Sequence, residues 1–121
     1  MKEDNIIQTK AFLFAIRIIR LYQYLHGKNE FIMSRQVLRS GTSIGANIEE
    51  ALGVNSNKDF VARMTIVYKE ARETKYWLKL LQETKYLTDK QAESLIKDGE
   101  EILKITGSII KTLKKNQQNN V

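Results

Sequence analysis

The apolar residues of this chain recur at helical spacing in four long segments, and the sequence has no proline to interrupt any of them. Amphipathic helices are stabilised when their apolar faces pack together, whereas a β-rich fold normally uses proline in its turns. We therefore predict an all-α, antiparallel up-and-down four-helix bundle. The 121 residues are enough to close one core and are predicted to form a single domain.

Local signals set the predicted ends of the helices. The predicted helices cover residues 4–26, 34–52, 57–83 and 89–115, and the polar tail 116–121 is predicted to fray. Gly27 and Gly53 follow the first two helices, where glycine commonly ends a helix. Ser56 and Thr88 precede the third and fourth, each with a residue three positions later that can complete a capping box.

The stretch SGTSIGANIEE, residues 40–50, permits two interpretations. Gly41 and Gly45 share one helix face, and each costs about 1 kcal/mol in a helix interior, so close approach by a neighbouring helix is the expected compensation. The alternative is a phosphate-binding loop. However, Ala46 and Asn47 follow Gly45, where a P-loop requires lysine and a hydroxyl residue. We favour close helix packing.

Four polar residues border the apolar faces of the second and third helices. Asn47 and Glu50 are three residues apart, and Glu70 and Glu73 repeat that spacing. Half-buried carboxylates need partners. The candidate partners are Arg35, Arg39, Arg63 and Arg72. Two interpretations stay open, a solvated polar edge and a structural polar network that fixes helix register. A hard-cation site of the three glutamates is a further alternative, but no histidine supports it.

The formal net charge is +6, which is compatible with an anionic partner such as RNA or DNA. Cations without neighbouring acids lie in the first helix and at the end of the fourth, and a tyrosine beside them offers a plane for base stacking. The candidate nucleic-acid contacts are Lys10, Arg17, Arg20, Tyr24, Lys111, Lys114 and Lys115. The alternative is a solvated cationic face with no ligand.

The residue inventory argues against catalysis. With no cysteine and one histidine, the chain has neither a thiolate metal site nor the paired Glu-x-x-His motifs of a di-iron bundle. Arg20 and His26 match a spacing found in some helical-bundle ribonucleases, although His26 also suits a helix C-terminus. We predict no enzyme activity, no cofactor and no metal.

The same inventory bears on the compartment. Arg17 and Arg20 interrupt the longest apolar segments, so we predict no membrane association, and the absence of cysteine gives no sign of an oxidising compartment. We expect a soluble, cytoplasmic protein.

Two motifs occur in the second and third predicted helices. The first is SI-x-x-NI-x-E, from Ser43 to Glu50, and the second is KEARET-x-YWL, from Lys69 to Leu78. In this order and separation they resemble the motifs of the four-helix bundle proteins named for 23S rRNA intervening sequences. The resemblance covers residues 8–115, although many members carry glycine where this chain has Ala51.

The resemblance implies a fold similar to that of the accessory variability protein of diversity-generating retroelements. That protein forms a pentameric ring with a basic surface and binds nucleic acid and a reverse transcriptase. By analogy we expect a homo-oligomer, with a pentameric ring as the expected form, and RNA, DNA or a reverse transcriptase as candidate partners.

Two functional hypotheses follow. The first is a non-enzymatic homo-oligomer that binds nucleic acid through a basic surface. The alternative is a protein-interaction scaffold or accessory subunit without direct nucleic-acid contact. It is motivated by the unusually wide apolar stripe of the first helix, which also suits a self-interface. The additional apolar residues are Phe12, Leu13, Ile16 and Ile19.

Overall fold

The computed structural model describes the backbone of residues 2–119 and the side chains of residues 6–117. Its helices are α1 (Lys2–Gly27), α2 (Met33–Leu52), α3 (Asn57–Glu83) and α4 (Asp89–Asn119). Each helix packs against the next one along the chain, and α1 also packs against α4. The predicted four-helix bundle is confirmed.

Two helices differ from prediction at their ends by more than one residue. Helix α1 already includes Lys2, and α4 continues to Asn119, beyond the predicted end at residue 115. The extension of α4 beyond residue 115 consists of asparagine and glutamine, and no proline or glycine stops the helix there. Residues 120 and 121 of the predicted tail lie outside the described part.

The core consists of the apolar stripes that the sequence indicated. The large side chains that are fully buried are Ile7, Phe14, Ile18, Leu25, Val37, Ile44, Ile48, Met64, Val67, Leu78, Leu81 and Ile102. Burying a side chain of this kind contributes about 1.5–3 kcal/mol relative to leaving it in water. None of the described helices has an apolar segment long enough to cross a bilayer.

Helix α2 runs unbroken through both glycines of the SGTSIGANIEE stretch. A Cβ atom on Gly41 would lie 2.8 Å from the Cγ atoms of Ile18, so α1 packs directly against this position. A Cβ on Gly45 would lie 3.7 Å from the carbonyl oxygen of Ala11, an ordinary contact distance. Close packing therefore depends on Gly41, whereas an alanine would fit at Gly45.

The starts of α3 and α4 are capped by the serine and threonine that the sequence indicated, and α2, for which no cap was predicted, starts differently. The Ser56 hydroxyl accepts the Asp59 N–H, and the Thr88 hydroxyl accepts the Gln91 N–H at 3.1 Å. At the start of α2 the buried Glu30 carboxylate accepts three backbone N–H groups. Its negative charge also complements the positive end of the helix dipole. This cap reaches the helix from an acidic residue in the preceding loop.

Candidate nucleic-acid interface

Four of the predicted contacts lie where α1 borders α4, and we call Lys10, Arg17, Arg20 and Tyr24 the α1–α4 surface. Lys10 Nζ donates to Glu101 Oε2 at 2.9 Å. Arg17 pairs with Asp98 and also donates to Ser94 Oγ at 2.9 Å. Two of the three cations therefore join the helices through carboxylates of α4, which reduces their ability to hold phosphate.

The electrostatics of the α1–α4 surface agree with this pairing. The hydrogen bond from Lys10 lowers the pKa of Glu101, so the carboxylate stays charged beside the ammonium group. Lys28 Nζ lies 5.0 Å from the centre of the Tyr24 ring, and hydrogen bonds with Lys28 and Gln91 lower the pKa of Tyr24. One face of the ring that was predicted to stack on a base is thus covered by a cation.

The other three predicted contacts line a different depression, on the opposite side of α4. This α3–α4 groove has two connected parts that share Tyr68, with volumes of about 650 and 360 Å³. Helix α3 contributes Thr65, Tyr68, Arg72, Lys75, Tyr76 and Lys79. Helix α4 contributes Leu103, Gly107, Ile110, Lys111, Lys114 and Lys115.

Charge distinguishes the α3–α4 groove from the α1–α4 surface. Among the described residues that line the groove, six are lysine or arginine and none is acidic. One carboxylate approaches it, because Glu100 Oε2 accepts from Lys75 Nζ at 3.4 Å. Arg72, Lys79 and Lys111 are exposed. The exposed cations of the groove therefore present a positive strip to solvent.

Two tyrosines interrupt this positive strip. Tyr68 Cε2 lies 3.4 Å from the position that a Cβ on Gly107 would occupy, so the glycine leaves space for the ring against α4. Tyr76 is 55% exposed, and its ring lies edge-on to that of Trp77, with centroids 5.3 Å apart. Adjacent residues on a helix point in different directions, and here Trp77 packs against the core while Tyr76 faces solvent.

A third polar region joins α2 to α3 and contains the four residues predicted to form a network. They belong to two separate groups. Arg63 Nη1 contacts Asn47 Oδ1 at 3.2 Å and Glu50 Oε2 at 2.8 Å. Arg39 pairs with both Glu70 and Glu73. These ion pairs join α2 to α3, as expected for a structural polar network. Their side chains are also partly exposed, as expected for a solvated polar edge, so the region has features of both interpretations.

The Glu73 carboxylate is held most firmly in this region. A hydrogen bond from Trp77 Nε1, at 3.0 Å, makes the largest contribution to lowering the pKa of Glu73. The hydrogen bond from Arg39 lowers this pKa further, whereas burial of the carboxylate opposes the shift. Deeper between α2 and α3, the buried hydroxyls of Ser40 and Thr74 meet at 2.8 Å. Sequence reasoning missed this buried pair.

The apolar residues that widened the stripe of α1 remain largely uncovered. Phe12 is 60% exposed and Leu13 is 58% exposed, while Ile19 is exposed and Ile16 is half-buried. We call these four residues the α1 apolar face. Contiguous apolar patches of this kind often mark sites of protein association.

Arg20 and His26, which match the ribonuclease-like spacing, lie on different sides of α1. Six residues of helix separate Arg20 from His26, a rotation of about 240°, so the two side chains leave α1 in different directions. The His26 ring packs between Tyr22 and Phe31, with centroids 4.1 and 5.0 Å away. Within the described residues, no three acidic or histidine side chains converge to form a potential metal site.

The structure thus divides the predicted contacts between two sides of α4 and adds residues that were not predicted as contacts. Arg72 was predicted as a candidate carboxylate partner, and no binding role was predicted for Tyr68, Tyr76 or Lys79. A sequence signal for them exists. Tyr68, Arg72 and Tyr76 are four residues apart, so they lie along one strip of α3.

The chain is similar to a protein of known structure and to a described protein family. A crystal structure of a protein of unknown function from the S23 ribosomal protein family of Bacteroides thetaiotaomicron is 51% identical in sequence. The TM-score is 0.88, and the match covers 90% of this chain and 98% of that one. A search of curated proteins found no match. The sequence matches the family described as 23S rRNA-intervening sequence protein over residues 3–108. The chain belongs to the 23S rRNA-intervening sequence protein family.

Proposed function

We propose that this protein is a non-enzymatic, self-associating bundle that binds RNA or DNA through the α3–α4 groove. The observation that carries the proposal is the lining of the groove, which combines six cations and two tyrosines with no carboxylate among the described residues. Phosphate groups are bound mainly by lysine and arginine, and this attraction requires no base sequence.

The placement of the carboxylates supports the groove over the α1–α4 surface. Lys10 and Arg17 already have carboxylate partners, so a phosphate would have to compete with Glu101 and Asp98. In the groove, Arg72, Lys79 and Lys111 are exposed and would gain a partner on binding. The lysines at the end of α4 that the sequence indicated, Lys114 and Lys115, extend the same positive strip.

A salt titration of binding tests the proposal. Fluorescence anisotropy of labelled RNA and DNA would be measured from about 50 to about 200 mM salt, where phosphate contacts lose affinity steeply. Each contact contributes about −0.7 to the logarithmic salt slope for a single strand, so six contacts give a slope near −4. Absence of binding to either nucleic acid at about 50 mM salt would remove the proposed function.

The self-association is assigned to the α1 apolar face. A second copy of the chain would cover Phe12 and Leu13, which otherwise expose most of their area to water. A closed ring of several copies, with a pentamer as the expected form, would repeat the groove around its circumference. Repetition raises the avidity for a long polyanion without any new kind of contact.

Light scattering coupled to size-exclusion chromatography tests this assignment. We expect an oligomer for the natural chain and dissociation for the variant with Phe12→Ser and Leu13→Ser. Ile66→Ser is the matched control, because Ile66 is an exposed apolar residue on α3. A monomeric natural chain would overturn self-association. It would favour the alternative hypothesis, an accessory subunit that uses the same face for a foreign protein such as a reverse transcriptase.

A further inference from the structure

Tyr76 is the most exposed tyrosine in the described chain. It belongs to the α3 side of the groove, one helical turn after Arg72 and almost one turn before Lys79. An exposed aromatic ring between two cations presents a flat apolar plane where a phosphate backbone would be held on both sides. Purely electrostatic binding would not require such a ring.

The Tyr76 ring is supported from behind. Its neighbour Trp77 meets it edge-on, with an interplanar angle of 67°, a favourable arrangement for two aromatic rings. Trp77 is anchored in turn, because its indole N–H donates to Glu73, which also binds Arg39 of α2. Through this chain of contacts, α2 and α3 together restrict the orientation of the exposed ring.

A second ring lies in the same groove. Tyr68 precedes Tyr76 by eight residues, which corresponds to about 12 Å along the helix axis. Arg72 lies halfway between them on the same strip of α3, and both tyrosines line the groove. A stacked nucleic-acid strand rises by about 3.4 Å per nucleotide, so about three or four nucleotides would span the distance between the two rings.

We propose that the α3–α4 groove binds single-stranded nucleic acid, with Tyr76 as a stacking platform for an unpaired base. This inference rests on the proposed function and specifies its ligand. In a duplex the faces of the bases are covered by their neighbours, whereas in a single strand they are free to stack on aromatic side chains. Cations that follow the backbone and rings that receive bases are the combination used by proteins that bind single strands without sequence preference.

The test compares single-stranded and duplex oligonucleotides of mixed sequence, about 12 nucleotides long, by fluorescence anisotropy at fixed salt. The variants are Tyr76→Ala, which removes the ring, and Tyr76→Phe, which keeps the plane and removes the hydroxyl. Tyr24→Ala is the matched control, because Tyr24 is an exposed tyrosine beside cations on the α1–α4 surface.

We expect the natural chain to bind the single strand more tightly than the duplex. Tyr76→Ala should weaken single-strand binding about tenfold, the effect expected for losing one base–aromatic stack, while Tyr76→Phe and Tyr24→Ala should change it less than about twofold. The logarithmic salt slope should stay the same in Tyr76→Ala, because no phosphate contact is lost. A change in slope would point to a disturbed cationic lining instead of a lost stack.

The outcomes separate the two proposals. Duplex binding that equals or exceeds single-strand binding, or single-strand binding that is unaffected by Tyr76→Ala, would overturn the stacking inference and leave nucleic-acid binding intact. Absence of any nucleic-acid binding by the natural chain would overturn both proposals. Binding that Tyr24→Ala weakens and Tyr76→Ala does not would move the stacking site to the α1–α4 surface and contradict the inference.

Discussion

Both sides of α4 carry cations, but the two sides differ in whether acidic side chains pair with those cations. On the side of α1, Lys10 and Arg17 are matched by Glu101 and Asp98, and the charges connect two helices. On the side of α3, the described lining of the groove contains cations and tyrosines without a carboxylate. A count of lysines and arginines therefore does not identify a binding surface, because the position of the acidic partners decides which cations are available.

The largest effect is expected from removing the charge of the groove. Replacing Arg72, Lys79 and Lys111 by alanine should lower the affinity for single-stranded RNA by about one to two orders of magnitude and reduce the salt slope by about 2, since three phosphate contacts are lost. Anisotropy titrations at several salt concentrations measure both quantities.

The matched control removes three charges from the other side of α4. Lys10, Arg17 and Arg20, all replaced by alanine, should change affinity and slope much less than the groove variant. Equal losses in the two variants would mean that net charge, not the groove, governs binding, and the contrast between the two sides would disappear.

The second effect concerns the position of α1 against the bundle. Gly41→Ala would bring a Cβ within 2.8 Å of the Ile18 side chain, which is fully buried. Overpacking costs about 1–3 kcal/mol, and the better helix propensity of alanine offsets about 1 kcal/mol of it. The free energy of unfolding in urea should therefore fall by about 1 kcal/mol, while nucleic-acid binding by the folded variant should be unchanged.

Gly45→Ala provides the internal comparison on the same helix face. The contact with Ala11 is loose enough to accept a methyl group, so this variant should be up to about 1 kcal/mol more stable. If both alanines destabilise the protein equally, the distinction between the two glycines is wrong.

A smaller effect is expected from freeing the cations on the side of α1. Asp98→Asn combined with Glu101→Gln removes the carboxylate partners of Arg17 and Lys10 and adds two to the net charge. Affinity for RNA should rise about twofold to fivefold, with a slightly steeper salt slope. An unchanged affinity would show that the α1–α4 surface does not contact the ligand even when its cations are unpaired.

The smallest effect is the pH dependence of the Lys10–Glu101 pair. Because Lys10 lowers the pKa of Glu101 below its ordinary value of 4.5, the pair adds stability that is complete above pH 4.5 and is lost as the pH falls through the lower pKa of the folded state. The exposed location makes the contribution small. Glu101→Gln should slightly flatten the acid limb of the stability curve measured by circular dichroism, and a steeper limb would contradict the pairing.

Much of the fold could be predicted from sequence because it depends on local patterns. Apolar periodicity located the four helices, and the spacing of Thr88 and Gln91 predicted a reciprocal cap that the structure contains. The Glu30 cap and the buried Ser40–Thr74 contact were missed. Each depends on how the chain folds back or on how two helices pack, and no regular spacing of residues in the sequence predicts it.

Only part of the candidate site could be predicted from the sequence, for a related reason. Lys10 and Glu101 are 91 residues apart in sequence, so their pairing depends on the register of two helices. Without that register, the cations of α1 looked as available as those at the end of α4. The strip that contains Tyr68, Arg72 and Tyr76 was readable from its spacing. It was missed because Arg72 was interpreted as a partner of a carboxylate, and the tyrosines of α3 were not considered beside it.

Zero-length ultraviolet crosslinking of the protein to single-stranded RNA, followed by mass spectrometry of the peptides, tests the location of the binding surface most directly. We predict adducts on the α3 peptides that contain Tyr68 or Tyr76, together with lysines of α4 such as Lys111. Adducts concentrated on the α1 peptide that contains Tyr24, with α3 unmodified, would contradict the assignment of binding to the α3–α4 groove.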